Sequence, residues 1–166
     1  MSDTLAWHFL PTDGTGPRLG VRAEPGLTLR HDGPLVLCHS GLHASERAID
    51  ALRYAQSSIV SRVRCSGELV RDTDKLACSE RQILWVADAT SALRLHAAWC
   101  AERALLRERA RGYEPDLRSW AAVEAARAYA LGEIGGVALA AAWDAASAAA
   151  WAAASDAASD AARAAA

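Results

Sequence analysis

The chain has 166 residues, a formal charge of −2 and a pI near 6.2, with 52% hydrophobic and 23% charged residues. That length suits one domain able to bury a core, and the slightly acidic balance excludes a general attraction to nucleic-acid phosphates or anionic membranes. Alanine inflates the hydrophobic fraction: 19 of the last 30 residues are Ala, against one Phe and one Met in the whole chain, so the larger core residues are expected in the first two thirds.

The start, MSDTLAWHFLP, carries an early acid and no apolar leader core, and no window reaches the roughly 18 uncharged apolar residues of a membrane span. Cys38, Cys65, Cys78 and Cys100 lie far apart without a CxxC pair, which reads as reduced thiols in a cytoplasmic protein with no membrane partner.

Residues 4–10 alternate partly and stop at Pro11 before Asp13-Gly14-Thr15-Gly16, predicting a strand and a tight turn. Short apolar segments at 19–23, 27–29 and 35–38, parted by Pro25-Gly26 and Asp32-Gly33-Pro34, predict a small antiparallel meander. Ser45 is well placed as an N-cap for a short helix with Ala48, Ile49, Leu52 and Ala55 on its apolar face. Residues 58–70 are β-rich, and Gly67 marks a bend or bulge between two strand halves.

After the Asp72–Lys75 loop, residues 82–86 either close the sheet as a last strand or begin the next helix. Asp88 or Thr90 caps a long helix to Arg111 with Leu95, Trp99 and Leu106 in one stripe, and Gly112 stops it. A further helix begins at Pro115-Asp116 and breaks at Gly132, Gly135 and Gly136; the alanine-rich segment beyond is helical by propensity. The expected fold is α+β: a small antiparallel N-terminal sheet with one short helix, then a C-terminal helical hairpin or bundle with an Ala-rich terminal helix. Its parts are a mixed portion over 1–86, a helical portion over 87–136 and a tail over 137–166, in one integrated domain.

The stretches CHSGLHASERAIDALRYA (38–55), SGELV (66–70) and DKLACSERQILWVADAT (74–90) resemble a family of uncharacterised small proteins encoded by phages and prophages. The resemblance covers roughly residues 4–110. It implies an accessory binding role toward a host protein or a small ligand, including the countering of host defence, and brings no catalytic residues and no cofactor.

Gly41-Leu42-His43-Ala44-Ser45, followed nine residues later by Tyr54, is also similar to the part of ADP-ribosyltransferase folds where a glycine-led strand runs into a helix ending at a tyrosine. That similarity implies a cleft faced by His8, His43, Ser45 and Tyr54, with Glu68 or Glu80 as the acid.

Cys38, His39 and His43 are the densest set of metal-ligand types, but no fourth ligand among His31, Cys65, Cys78 or His96 stands at a recognisable spacing, so no metal is expected. No P-loop, G-x-G-x-x-G fingerprint or nucleophile elbow is present. The expected binding residues are therefore Trp7, His8, His43, Ser45, Tyr54, Asp74, Lys75 and Arg81, with Lys75, the chain's single lysine, gripping a phosphate or a carboxylate. For Asp74-Lys75 and Glu80-Arg81 the competing reading is a solvated loop with surface ion pairs. Trp85, Trp99 and Trp120 are expected in the core. Trp143 and Trp151 are expected at a homo-oligomer interface on the terminal helix.

Overall fold

A computed structural model describes residues 3–15 and 22–164, and the chain divides into two compact units, Met1–Ala89 and Thr90–Ala166. The fold is α+β: an antiparallel sheet with a short helix, followed by three helices.

The first unit holds β1 (Thr4–Phe9), β2 (Thr28–Arg30), β3 (Leu42–Ala44), α1 (Ala48–Leu52), β4 (Ile59–Arg71) and β5 (Leu76–Asp88). Its frame is the long β4–β5 hairpin, turned by residues 72–75, where Asp72 N–H donates to Lys75 O at 2.8 Å. All strands are antiparallel in the order β1-β4-β5-β2, and β3 also pairs with β5. One residue past β3, Ser45 exchanges two backbone hydrogen bonds with Trp7 of β1, at 2.7 and 2.9 Å. This pair joins the β3 side of the sheet to the β1 edge, so the backbone closes on itself and leaves fewer unpaired edge groups.

Alternation along the strands sets what lies inside. Ala6, Val63 and Ile83 stand in one register line and are buried with Leu10, Ala23, Ala44, Cys65, Leu76 and Cys78. Each large aliphatic buried this way contributes about 2 kcal/mol. By the same parity His8, Ser61 and Arg81 share the core side, whereas Trp7, Arg62 and Trp85 line up on the other face. There the Trp7 and Trp85 rings meet edge to face at 5.6 Å and the Arg62 guanidinium lies 4.6 Å from the Trp7 ring centre. Gly67 sits at a shift of register between Ser66 and Leu69 with φ +74°, and a Cβ there would stand 2.1 Å from Ser79 Oγ. The bulge foreseen at this glycine is therefore a place only glycine fits.

Several expectations need correction. Of the two readings left open for residues 82–86 the strand is the one found, and only its start moves, to Leu76. Residues 35–38 form no strand: Val36 bridges Ser40 around a tight turn that holds Cys38 at φ +66°, and the strand comes later, at Leu42–Ala44. The short strands do not form a meander, because β2 and β3 each pair with β5. Ser45 does not cap α1. Its backbone is committed to Trp7, the N-cap is Arg47, and the helix buries Ala51 while Ile49 is exposed. Of the segment 19–23, residues 19–21 lie outside the described residues.

The second unit holds α2 (Thr90–Ala110), α3 (Leu117–Leu131) and α4 (Gly136–Ala164). Asp116 caps α3, its carboxylate accepting from Arg118 N–H at 2.8 Å, and Gly132 ends it in the left-handed conformation at φ +78°. The Arg118 side chain and N–H hold the Asp116 pKa down to about 2. The Arg127–Glu102 ion pair at 2.7 Å and the Ser91 hydroxyl donating to Ala130 O at 2.6 Å tie α3 to α2. An apolar groove of about 610 Å³ lies among α2, α3 and α4, lined mainly by alanines with Val123, Leu139 and Trp143.

The tryptophans expected in the core stand elsewhere. Trp85 lies on the outer sheet face, and Trp99 is exposed along its own helix between His96 and Arg103. Trp120 is half-buried under the Arg109 guanidinium. The stripe read through Leu95, Trp99 and Leu106 is not the buried line of α2, whose buried residue is Ala98. Small residues carry the helix contacts because alanine lets helix axes approach closely. Along α4, residues Gly136–Ser155 are long and apolar enough, by length and composition, to cross a membrane, with Asp144 as the one charge inside that stretch.

Candidate functional site

Five stretches of the chain meet at one cavity of about 270 Å³ in the first unit. β1 supplies Trp7, His8 and Phe9; the turn before β3 supplies Cys38; β3 and its exit supply His43, Ala44 and Ser45; α1 and its end supply Ala51 and Tyr54; and the β4–β5 turn supplies Lys75. The Trp7–Ser45 backbone pair brings the first and third of these stretches together.

Each polar wall residue is held by a definite contact. Tyr54 donates its hydroxyl proton to Asp74 Oδ2 at 2.7 Å, and the Lys75 ammonium donates to the same phenol oxygen at 3.4 Å while lying 5.4 Å from the ring centre. Asp74 also faces Arg53 at 3.6 Å and Lys75 at 3.9 Å. The Tyr54 hydrogen bond, aided by the Lys75 and Arg53 charges, lowers the Asp74 pKa. The Cys38 sulfur and the Tyr54 hydroxyl beside it raise that of Lys75, so the ammonium is charged across the physiological range.

Cys38 N–H donates to His43 Nε2 at 2.9 Å, which places the neutral ring's proton on Nδ1 and makes that nitrogen a donor. His8 is held neutral, its pKa lowered to about 3 first by burial, then by the Arg81 charge and by His43. Its Nδ1 is shut off from solvent and has no hydrogen-bond partner.

Arg81 lies behind this wall rather than in it. Its side chain is on the core side of β5, the residue is 5% exposed, and it donates from a terminal nitrogen to the His43 carbonyl at 2.5 Å. Its Nε is buried and unpartnered, and among the described residues no carboxylate pairs with it. Below it the Cys78 thiol, together with burial, pushes the Cys65 pKa far up, so Cys65 stays a protonated thiol.

Of the eight expected binding residues, Trp7, His8, His43, Ser45, Tyr54 and Lys75 line the cavity, Asp74 adjoins it through Tyr54, and Arg81 backs it. The solvated-loop reading describes Asp74 and Lys75 in part, since they stand in a turn and carry ion pairs to Arg53 and to each other, and Glu80, which pairs with Arg30; Arg81 departs from it, because it is buried in a strand. Sequence reasoning missed Phe9 and weighed Cys38 only as a metal ligand; the turn composition around Cys38 marked a bend but could not show where the bend folds. Glu68 and Glu80, the acids implied by the transferase similarity, do not line the cavity. Glu80 instead pairs with Arg30 at 2.9 Å, because its parity puts it on the face opposite Arg81. Among the described residues no three His, Cys, Asp or Glu side chains gather as a metal site.

The fold defines an α+β protein with a five-stranded antiparallel N-terminal sheet, and this cavity lies where β1, β3 and α1 meet. More particularly, the chain belongs to the family of DUF7666, a domain of unknown function, whose model matches residues 12–95. That match spans β2 to β5 and the first residues of α2, and so includes every cavity segment except β1. No curated protein and no solved structure matches the chain.

Proposed function

We propose that the chain is an accessory binding protein whose N-terminal unit holds a small ligand in the Trp7–His8–His43–Tyr54–Lys75 cavity. The observation that carries this reading is the convergence of polar and aromatic residues, among them His8, His43, Tyr54 and Lys75, from five separate stretches on one concave site. Such a gathering of tyrosine, imidazole and ammonium costs desolvation and side-chain freedom that packing alone would not demand. The resemblance to phage-encoded small proteins supports the accessory role. Among the described residues no carboxylate lines the cavity, which favours binding over group transfer, since the transferase reading needs an acid at this wall.

Native mass spectrometry of the full chain purified from cell extract tests the reading. The expected result is a retained small-molecule adduct that Lys75→Met and His43→Ala both lose while circular dichroism stays unchanged. Retention of the adduct by both variants would overturn it.

We propose in addition that α4 mediates association with a second copy of the chain, an idea supported by the exposure of Trp143 (59%) and Trp151 (79%). Sedimentation of a chain ending at Gly135 should then give half the mass, or a smaller fraction, of the full assembly; equal assembly states for both chains would remove this reading.

A further inference from the structure

The charges around the cavity do not balance. Lys75 brings a full positive charge to the wall, and Arg81 places a second one directly behind it, bonded to the His43 carbonyl. Among the described residues the carboxylate in contact with this group, Asp74, is already divided among Tyr54, Arg53 and Lys75. Among the described residues no carboxylate pairs with Arg81, whose neighbours are the Cys65 and Cys78 thiols, and a buried guanidinium without a counter-ion is unfavourable. It also cannot shed its proton, as a lysine or histidine could. Around these charges the wall includes the Tyr54 ring and the imidazoles of His8 and His43, with the Lys75 ammonium at the β4–β5 turn.

We infer that the ligand of this cavity is a flat aromatic or heteroaromatic molecule carrying an anionic group, a carboxylate or a phosphoryl, with the anion placed at Lys75 in the field of Arg81. This rests on the reading of the cavity as a ligand site. The volume of about 270 Å³ fits one ring with a short substituent and is too small for a dinucleotide. The imidazole of His8, held neutral by burial, lines the site without adding to its positive charge.

Isothermal titration calorimetry of the full chain with benzoate, phenyl phosphate and benzamide tests the inference, because the three share a ring and differ in charge. One of the anions should bind at least about tenfold more tightly than benzamide. Preference for benzoate assigns a carboxylate ligand, and preference for phenyl phosphate assigns a phosphoryl one. Lys75→Met and Arg81→Met should each bring the favoured anion to within about twofold of benzamide. If Arg81→Met does not fold, Lys75→Met, at the rim, carries the comparison alone. Benzamide binding as tightly as both anions would overturn the anion inference and leave the cavity as a site for a neutral ligand. Failure of all three probes to bind would overturn both.

Discussion

Tyr54 donates its phenol proton to Asp74 across twenty residues of sequence, at 2.7 Å, and so fastens the end of α1 to the turn of the β4–β5 hairpin. The bond places the phenol where Lys75 lies against both its oxygen and its ring. Lys75 is thereby prevented from sweeping through solvent, and the cavity keeps a fixed cation at its rim. Tyr54→Phe keeps the ring and removes the bond. Ligand affinity should fall about fivefold, the equivalent of one net hydrogen bond, while the fold is retained. Titration calorimetry with the best-binding aromatic probe reads this, and unchanged affinity would show that the bond does not position Lys75.

His8 links the site to pH. Its pKa in the folded chain is lowered to about 3 from an ordinary 6.5, so the unfolded chain binds the proton more readily. The neutral-imidazole contribution to stability is complete above pH 6.5 and is lost progressively as pH falls toward 3. At pH 5 the loss amounts to about 2 kcal/mol. Urea unfolding of the native protein at pH 7 and pH 5 should show this decrease, and His8→Gln, which cannot titrate, should show a smaller one. Parallel losses in both proteins would place the acid sensitivity elsewhere.

Asp74 acts in a lower window. Its pKa is depressed, first by the Tyr54 hydrogen bond, so the stability it contributes is present above its ordinary value of 3.8 and is lost as pH falls through the lower folded value. Asp74→Asn should flatten the acid limb below pH 4 and leave the limb between pH 6.5 and 5 unchanged, because that one belongs to His8. Thermal melts across the two windows separate the residues.

Gly67→Ala should destabilise the first unit by about 2 kcal/mol or more, since the backbone is left-handed there and the new Cβ would meet Ser79 Oγ. That hydroxyl accepts from Glu68 N–H at 2.9 Å, so displacing it also frees a backbone donor in the bulge. Chemical denaturation followed by tryptophan fluorescence measures the loss. A change under about 0.5 kcal/mol would mean that the bulge relaxes without strain.

The order of strands and helices was legible wherever the local chemistry had one solution. Gly67 as a bend or bulge, Pro115-Asp116 as a helix start and Gly112 and Gly132 as helix stops all express preferences that a few neighbouring residues decide. Ser45 shows where such reasoning fails. It has the chemistry of an N-cap and stands before a helical pattern, yet its backbone pairs with Trp7, thirty-eight residues away, and the local preference gives way to a sheet contact. Arg81 fails for the same kind of reason: charged and next to Glu80, it reads as a surface residue, but the β5 register turns it toward the core.

The sequence by itself determined the α+β class, the bulge, the helix ends and the types of side chain available for binding, because propensity, glycine conformation and composition act over short distances. Only the tertiary structure decided that the sheet closes through Trp7 and Ser45, that Lys75 joins His8, His43 and Tyr54 at one cavity, and that Arg81 lies buried behind it. Those outcomes depend on strand register and on contacts between stretches up to some seventy residues apart, where each side chain's environment is set by its partners rather than by its neighbours in the chain.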